Sequence, residues 1–251
     1  VFLPEETWAR DEARREEAGI PSDLVYRPKH EIAVELLWTA MARGLRMKWL
    51  TADEAYGRVP AFRRDVGDLG LLYVVEIPCN LAGWTEDMLA RAGKEAPPPT
   101  EVRHLWPGHG PEWVRYHVKD TEKGPSVWEV RTARFCPSEG GLPGGRNWLL
   151  VARNVLDGEE KYFLSNAPAD TPVEAMLHVA FSRWRVERAF EDGKGEVGMD
   201  QFEVRKYRPL MRHLVLSMVS LLFLMEEARR LGKKKSVVES DAGPEGDRGA
   251  A

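Results

Sequence analysis

Met47-Lys48-Trp49-Leu50-Thr51-Ala52-Asp53 is a short, mostly apolar run that ends on a carboxylate. Such a run predicts a buried strand that delivers Asp53 at its C-terminal end. Ahead of it, residues 29–43 predict a helix, with Ile32, Leu36 and Ala40 at helical spacing and Gly44 closing it. Behind it, residues 58–69 predict a helix and residues 71–77 a second buried strand. Helix–strand–helix–strand order with short connections implies an α/β layer with neighbouring strands. Farther upstream, residues 8–18 predict one charged helix, stopped by Gly19 and Pro21.

Downstream the character changes. Residues 78–165 are rich in Gly and Pro, including Pro97-Pro98-Pro99 and Gly140-Gly141-Leu142-Pro143-Gly144-Gly145. Between them, short β-like runs at 113–118, 126–135, 148–154 and 161–164 have hairpin spacing. A long helix is then expected over 171–192. Thr171 stands as its N-cap, Pro172 as its first residue and Glu174 completes a capping box. Gly193-Lys194-Gly195 would end it. A last helix is expected over 209–231. Its apolar run 214–225 falls short of the roughly 20 residues of a bilayer span and reads as a core helix. From Gly232 on, Lys233-Lys234-Lys235 and a Gly-, Asp-, Glu- and Ser-containing tail predict disorder. The layout is thus a core part at 1–80, a β-rich insertion at 81–166, a second core part at 167–231 and a tail at 232–251.

Composition limits the partners. The 251 residues are 43% hydrophobic and 30% charged, enough for a packed core, and carry a formal net charge of −4. Such a balance gives no overall pull toward a polyanion, so a nucleic acid would need a local basic patch. Cys79 and Cys136 are the only cysteines. Two thiols without a framework fit a reducing cytoplasm. Val1-Phe2-Leu3-Pro4 is too short for a signal peptide, and no membrane partner is expected. The lack of an initial Met hints at a start farther upstream.

Arg183, Glu187 and Lys194 stand four and seven residues apart, which places them near one stripe of a helix. A basic–acidic–basic stripe can orient one carboxylate while its cations approach phosphates. The competing reading is a solvated helix face with an ordinary Arg–Glu pair. Met176, Leu177, Trp184, Val186 and Phe190 suggest that the stripe borders a packed region. From 183 to 212 the chain has eight Arg or Lys against six Asp or Glu. Arg205, Lys206 and Arg208 in that stretch could form a phosphate-binding patch, or serve as plain surface charge. His104, His109 and His117 match no zinc spacing and read as loop or hairpin residues. Residues 140–145 lack the Lys-Ser/Thr of a phosphate loop. Trp84, Trp106, Trp113, Trp128 and Trp148 are expected mainly as the core of a small β unit, with one of them free to stack on a displaced base.

The stretch holding Arg183, Glu187 and Lys194 resembles the signature of a large group of bacterial insertion-sequence DDE transposases. That signature is Tyr, two residues, Arg, three residues, Glu, six residues, Lys. Here Ala180 holds the tyrosine position. Gly198-Met199-Asp200-Gln201-Phe202-Glu203-Val204-Arg205 and Arg212-His213-Leu214 resemble the segment downstream of the glutamate in that group. Thr51-Ala52-Asp53-Glu54-Ala55-Tyr56-Gly57 resembles its second aspartate at a strand end. The resemblance implies an α/β, RNase H-like core interrupted by a β-rich insertion and followed by C-terminal helices. It implies phosphoryl transfer with two Mg²⁺ ions about 3.5–4 Å apart, held by carboxylates that include Asp53 and Glu187. DNA ends and target would be the partners, with Arg183, Lys194, Arg205, Lys206 and Arg208 contacting DNA, and the intact enzyme would be a homo-oligomer. The family's first Asp has no counterpart: Asp11 lies in a charged helix and Asp23 follows Pro21-Ser22. The chain therefore reads as a C-terminal portion, inactive alone. The alternatives are a catalytically dead DNA-binding or regulatory remnant and an unrelated RNase H-like nuclease.

Overall fold

The computed structural model describes residue 3 and residues 6–92, 95–121 and 124–241, with backbone alone at 119–121, 124–125 and 233–241. The chain opens with helices α1 (Glu6–Arg10), α2 (Glu12–Ala18) and α3 (Lys29–Ala42). Strand β1 (Trp49–Ala52), helices α4 (Glu54–Gly57) and α5 (Pro60–Asp68) and strand β2 (Leu72–Ile77) follow. Next come β3 (Ala82–Thr85), α6 (Glu86–Arg91), β4 (Thr100–Glu101), β5 (Val114–Thr121) and β6 (Gly124–Glu139). The sheet is completed by β7 (Leu142–Pro143), β8 (Asn147–Asn154) and β9 (Glu160–Ser165). Helix α7 (Val173–Ala180), a 3-10 turn (Phe181–Arg183), α8 (Trp184–Val197) and α9 (Tyr207–Asp241) close the described chain. These elements form two compact units: residues 27–184, and residues 3–26 with the chain from 185 on.

In the first unit the strand order is β1-β2-β9-β8-β6-β3-β4, with β5 and β7 each pairing β6. β1 and β2 run parallel, with Ala52 beside Val75. β9 joins the other edge of β2 antiparallel, so the strands expected as a separate insertion are continuous with β1 and β2. Both sheet faces are covered. One carries Val75, Leu149, Val151 and Leu164 under Phe62 and Val66 of α5. The other carries Val74, Leu150, Ala152 and Phe163 under Met176 and Leu177 of α7. Burial on both sides explains why Leu149-Leu150-Val151-Ala152 is apolar without alternation. The α3 stripe lies one residue away from the expected one. Ala33, Val34, Leu37 and Met41 pack inward, whereas Leu36 is 63% exposed.

The helix expected over 171–192 is broken. Its first residue is Val173, one later than expected, with Pro172 as a cap that makes no side-chain bond, so the Thr171–Glu174 capping box is not formed. At its end Phe181 turns onto the sheet, 4.6 Å from Trp128 and 5.7 Å from Phe163 between ring centroids. Ser182 Oγ donates to Val179 O at 2.8 Å. A side chain that bonds the preceding turn competes with the helical ladder, and here a 3-10 turn separates α7 from α8.

Two contacts fix the first unit around Asp53. Gly57 lies so close to β2 that a Cβ there would be 1.9 Å from Glu76 O. The Arg63 guanidinium, 4% exposed, donates to Gly57 O at 2.7 Å and to Glu139 at 3.4 Å. Burial pushes its pKa down, and Tyr73 and Glu139 oppose that shift.

In the second unit, Asp11 caps α2 by accepting from Arg14 N at 3.1 Å, so residues 8–18 form two helices instead of one. Arg15 donates to Ala9 O, Pro21 O, Ser22 O and Leu24 O, folding the following loop onto α2. α8 continues through Gly193 and Gly195 to Val197, and Gly198, with φ +60°, ends it. Gly193 is buried, and a Cβ there would lie 2.9 Å from Met199 Cε. His213 Nε2 lies 3.0 Å from Gly198 O, tying the turn to α9. The run 214–225 is not a core helix: Ser217 is buried, but most large apolar side chains of α9 are exposed. By length and composition Tyr207–Gly232 could also span a membrane. α9 passes Gly232 to Asp241, contrary to the expected disorder, and residues 242–251 of the tail lie outside the described residues.

Gly57→Ala is expected to destabilise the chain by about 1–3 kcal/mol or more in urea unfolding, because backbone has to move. Unchanged stability would show that α4 is not seated on β2. Tyr73 donates to Asn147 Oδ1 at 2.6 Å, and burial pushes its pKa up to about 12. Its folded pKa is raised, so its contribution is present below about pH 10 and lost as pH rises through about 12. Tyr73→Phe should cost roughly 1–3 kcal/mol at neutral pH by orphaning Asn147. It should also flatten part of the alkaline decline, and a decline identical to the parent chain would refute the assignment.

Candidate functional site

Asp53 belongs to the first unit. It follows the last residue of β1 and serves as N-cap of α4, with φ −77° and ψ 177°. Its Oδ1 accepts from Ala55 N at 3.1 Å, and its carbonyl accepts from Gly57 N at 2.8 Å. The side chain is half-buried, and Oδ2 has no hydrogen-bond partner among the described residues. One oxygen thus anchors the carboxylate while the other stays available as a hard donor. The register that pairs Ala52 with Val75 sets Glu76 at the same end of the sheet. Glu76 pairs with Lys161 Nζ at 3.4 Å. Sequence reading passes over Glu76 because it sits inside an apolar strand run.

Glu187 belongs to the second unit. It is exposed in the first turn of α8, seven residues before the exposed Lys194. Arg183 lies in the 3-10 turn and in the first unit, so the three residues do not share one helix. Trp184, Val186 and Phe190 are 46%, 47% and 54% exposed, and of the apolar residues expected to border the stripe, Met176 and Leu177 are the buried ones. Arg205 and Lys206 are exposed in the segment before α9, and Arg208 in its first turn. Arg188 is neutralised by Asp192 at 3.0 Å and Glu191 at 3.8 Å.

The donors at Asp53 and Glu187 suit a hard divalent ion, since carboxylate oxygens are what Mg²⁺ takes. Among the described residues no three His, Cys, Asp or Glu gather to hold an ion. The donor type fits at each of the two carboxylates. His104 ends a 3-10 turn (Val102–His104) and faces Glu101 at 3.6 Å.

The tryptophans are engaged structurally. Trp84 and Trp128 are buried, and Trp84 Nε1 donates to Pro97 O at 2.5 Å. Trp148 Nε1 donates to Pro168 O at 3.1 Å, and Arg134 lies 4.9 Å from its ring centroid. Trp113 lies against Arg131 at 4.4 Å and Arg153 at 4.3 Å. Glu129 bridges Arg115 at 3.0 Å and Arg153 at 2.8 Å, and those two hydrogen bonds hold its carboxyl below the usual range. Sequence reading misses this cation–aromatic cluster, although Glu129 and Arg131, two residues apart in the β run at 126–135, are its trace.

Because Asp53 is both cap and candidate ligand, two substitutions separate the roles. Asp53→Ala should lower stability by about 0.5–2 kcal/mol, whereas Asp53→Asn keeps a capping oxygen and should cost far less. Equal losses in urea unfolding would show that the cap contributes nothing. A model of the DDE superfamily endonuclease family matches residues 1–133, more than half of the chain and the part that contains Asp53. No curated protein matches the chain. The match and the mixed α/β sheet together place this chain in the DDE superfamily of endonucleases, with an RNase H-like fold.

Proposed function

We propose that the chain is part of an insertion-sequence transposase of the Tyr-Arg-Glu-Lys group, with Asp53 and Glu187 as two of its three metal-holding carboxylates. The observation that carries the reading is Asp53, fixed by its own helix cap at a strand end, with Oδ2 outside any hydrogen bond among the described residues. Mg²⁺ held there would supply charge stabilisation at the phosphate and a more acidic attacking hydroxyl. Lys194, Arg205, Lys206 and Arg208 would hold the DNA backbone, with Arg183 approaching it from the preceding turn. The seat of action would be the cytoplasm, where the DNA is, and the working form a homo-oligomer on paired DNA ends.

Two carboxylates hold an ion weakly, so the chain by itself would be inactive in strand cleavage. The second reading is a catalytically dead DNA-binding or regulatory remnant. A metal-mapping experiment separates the two. Fe²⁺ with ascorbate cuts backbone beside bound metal. The transposase reading expects cuts near both residue 53 and residue 187, each abolished by either Asp53→Asn or Glu187→Gln. Cuts at one position alone, or none, would overturn the shared site and leave the remnant. Mg²⁺-dependent cleavage of DNA by the unmodified chain would refute the claim of inactivity.

DNA contact has its own test. Replacing Arg205, Lys206 and Arg208 by Ala should reduce the slope of log affinity against log salt by about 2.7, from 0.9 per lost phosphate contact. An unchanged slope on a duplex of any sequence would remove these residues from the interface.

A further inference from the structure

Three charged side chains from neighbouring strands come together at the end of the sheet that carries Asp53. β1 and β2 run parallel and in register up to Ala52 and Val75, and the backbone stays extended at Asp53, with φ −77° and ψ 177°. One further step sets Asp53 beside Glu76. Residues paired across neighbouring strands share a face of the sheet. Trp49 and Val74 pack on the face covered by α7, so alternation along β1 and β2 brings Asp53 and Glu76 to that face as well. Across the other edge of β2, Glu76 pairs with Phe163 of β9. Lys161 stands two residues from Phe163, on the same face and farther toward the C-terminal end of the parallel strands.

The order across the sheet is acid, acid, base. Asp53 and Glu76 lie one strand spacing apart, about 4.8 Å, where two carboxylates repel and a cation beside one of them offsets it. Lys161 supplies that cation. Its Nζ is 3.4 Å from Glu76 Oε1 and 3.5 Å from Glu159 Oε1. Both contacts are longer than the roughly 2.7–2.9 Å of a tight charge-assisted bond. An ammonium has three donors on a flexible stem, so Lys161 is held near Glu76 with donors to spare. The side chains of Glu76 and Lys161 are 22% and 27% exposed, which shields the pair in part from solvent and salt.

The use of such a cation follows from what lies at Asp53. A phosphodiester offers two free oxygens. With one of them on an ion at Asp53, the other is left to a donor of the protein. Lys161 is placed for it: two strand spacings, about 10 Å, separate its backbone from that of Asp53, and both side chains extend from one face. We propose that Lys161 donates to the phosphate engaged at Asp53, and that Glu76 is the residue that positions Lys161. The proposal rests on the reading of Asp53 as a metal-holding carboxylate. It adds a phosphate contact within the first unit, separate from Lys194, Arg205, Lys206 and Arg208.

The unmodified chain provides the first test. With a short DNA duplex and Mg²⁺ together, acetylation of Lys161 by an N-hydroxysuccinimide ester, read by mass spectrometry, should slow severalfold. EDTA in place of Mg²⁺, or Asp53→Asn, should abolish the slowing. Lys161→Met should weaken duplex binding about tenfold in Mg²⁺ but not in EDTA, and Lys161→Arg should retain most of the affinity. Glu76→Gln should speed acetylation of Lys161 without DNA and reduce its protection by duplex with Mg²⁺. A plain structural ion pair would leave that protection unmoved, and unmoved protection removes the role of Glu76. Lys161 unprotected in the parent chain, or protected equally in Asp53→Asn, overturns the phosphate contact, as does Mg²⁺-dependent affinity indifferent to Lys161→Met. The Fe²⁺ cuts near residue 53 separate the two levels. Cuts present with Lys161 unprotected refute the lysine contact alone, whereas absent cuts refute the metal reading beneath it.

Discussion

The approach of α4 to β2 at Gly57 determines most of what surrounds Asp53. With no side chain at 57, the turn after Asp53 lies directly against the Glu76 carbonyl, and any Cβ would overlap it. The same residue's carbonyl is taken by the buried Arg63 guanidinium, whose charge is in turn offset by Glu139 across the sheet. A missing methyl group, a buried cation and a carboxylate from β6 thus act in series to hold the strand-end turn. Asp53 does not find its position through its own contacts alone. It is delivered by backbone that has little freedom to be elsewhere.

The sheet supplies the frame for that delivery. Because α3 and α5 cover one face and α7 the other, neighbouring residues of β2 and β8 are both buried and belong to different cores. A register slip in β8 would exchange the two sets and strand polar groups such as Asn147, which bonds Tyr73, in apolar surroundings. The charged end of the sheet, with Glu129 between Arg115 and Arg153 beside Trp113, adds a polar boundary where apolar cover stops.

Much of this is legible in the sequence. The runs at 47–53, 71–77, 148–154 and 161–164 are strands within a residue or two, and the run at 126–135 lies inside the longer β6, because β-branched and aromatic runs bounded by Gly and Pro carry a local signal. Asp53 at a strand end is legible for the same reason. The features that escape depend on partners distant in sequence. The break at 181–183 needs Phe181 to reach Trp128 and Phe163, and neither is visible from helical periodicity. Leu36 reads as core because its spacing suits a helix, but spacing gives a stripe and not the direction in which the stripe faces. The run 214–225 reads as core for a similar reason: hydrophobicity states that a surface must be covered, not by what. Gly193 reads as a helix stop, whereas it is a point of close packing, a role that the residue type alone cannot reveal.

One guanidinium in the second unit has a consequence for how its order would be observed. Arg15 gathers the carbonyls of Ala9, Pro21, Ser22 and Leu24, so the loop after α2 is held largely through acceptors. Its fixed shape is therefore only partly recorded in protected amides, and hydrogen exchange would report a looser segment than the geometry describes. Guanidinium ion in solution presents the same donor fork to the same carbonyls. As a denaturant it would act on this loop as a direct competitor, where urea would act as a general solvent.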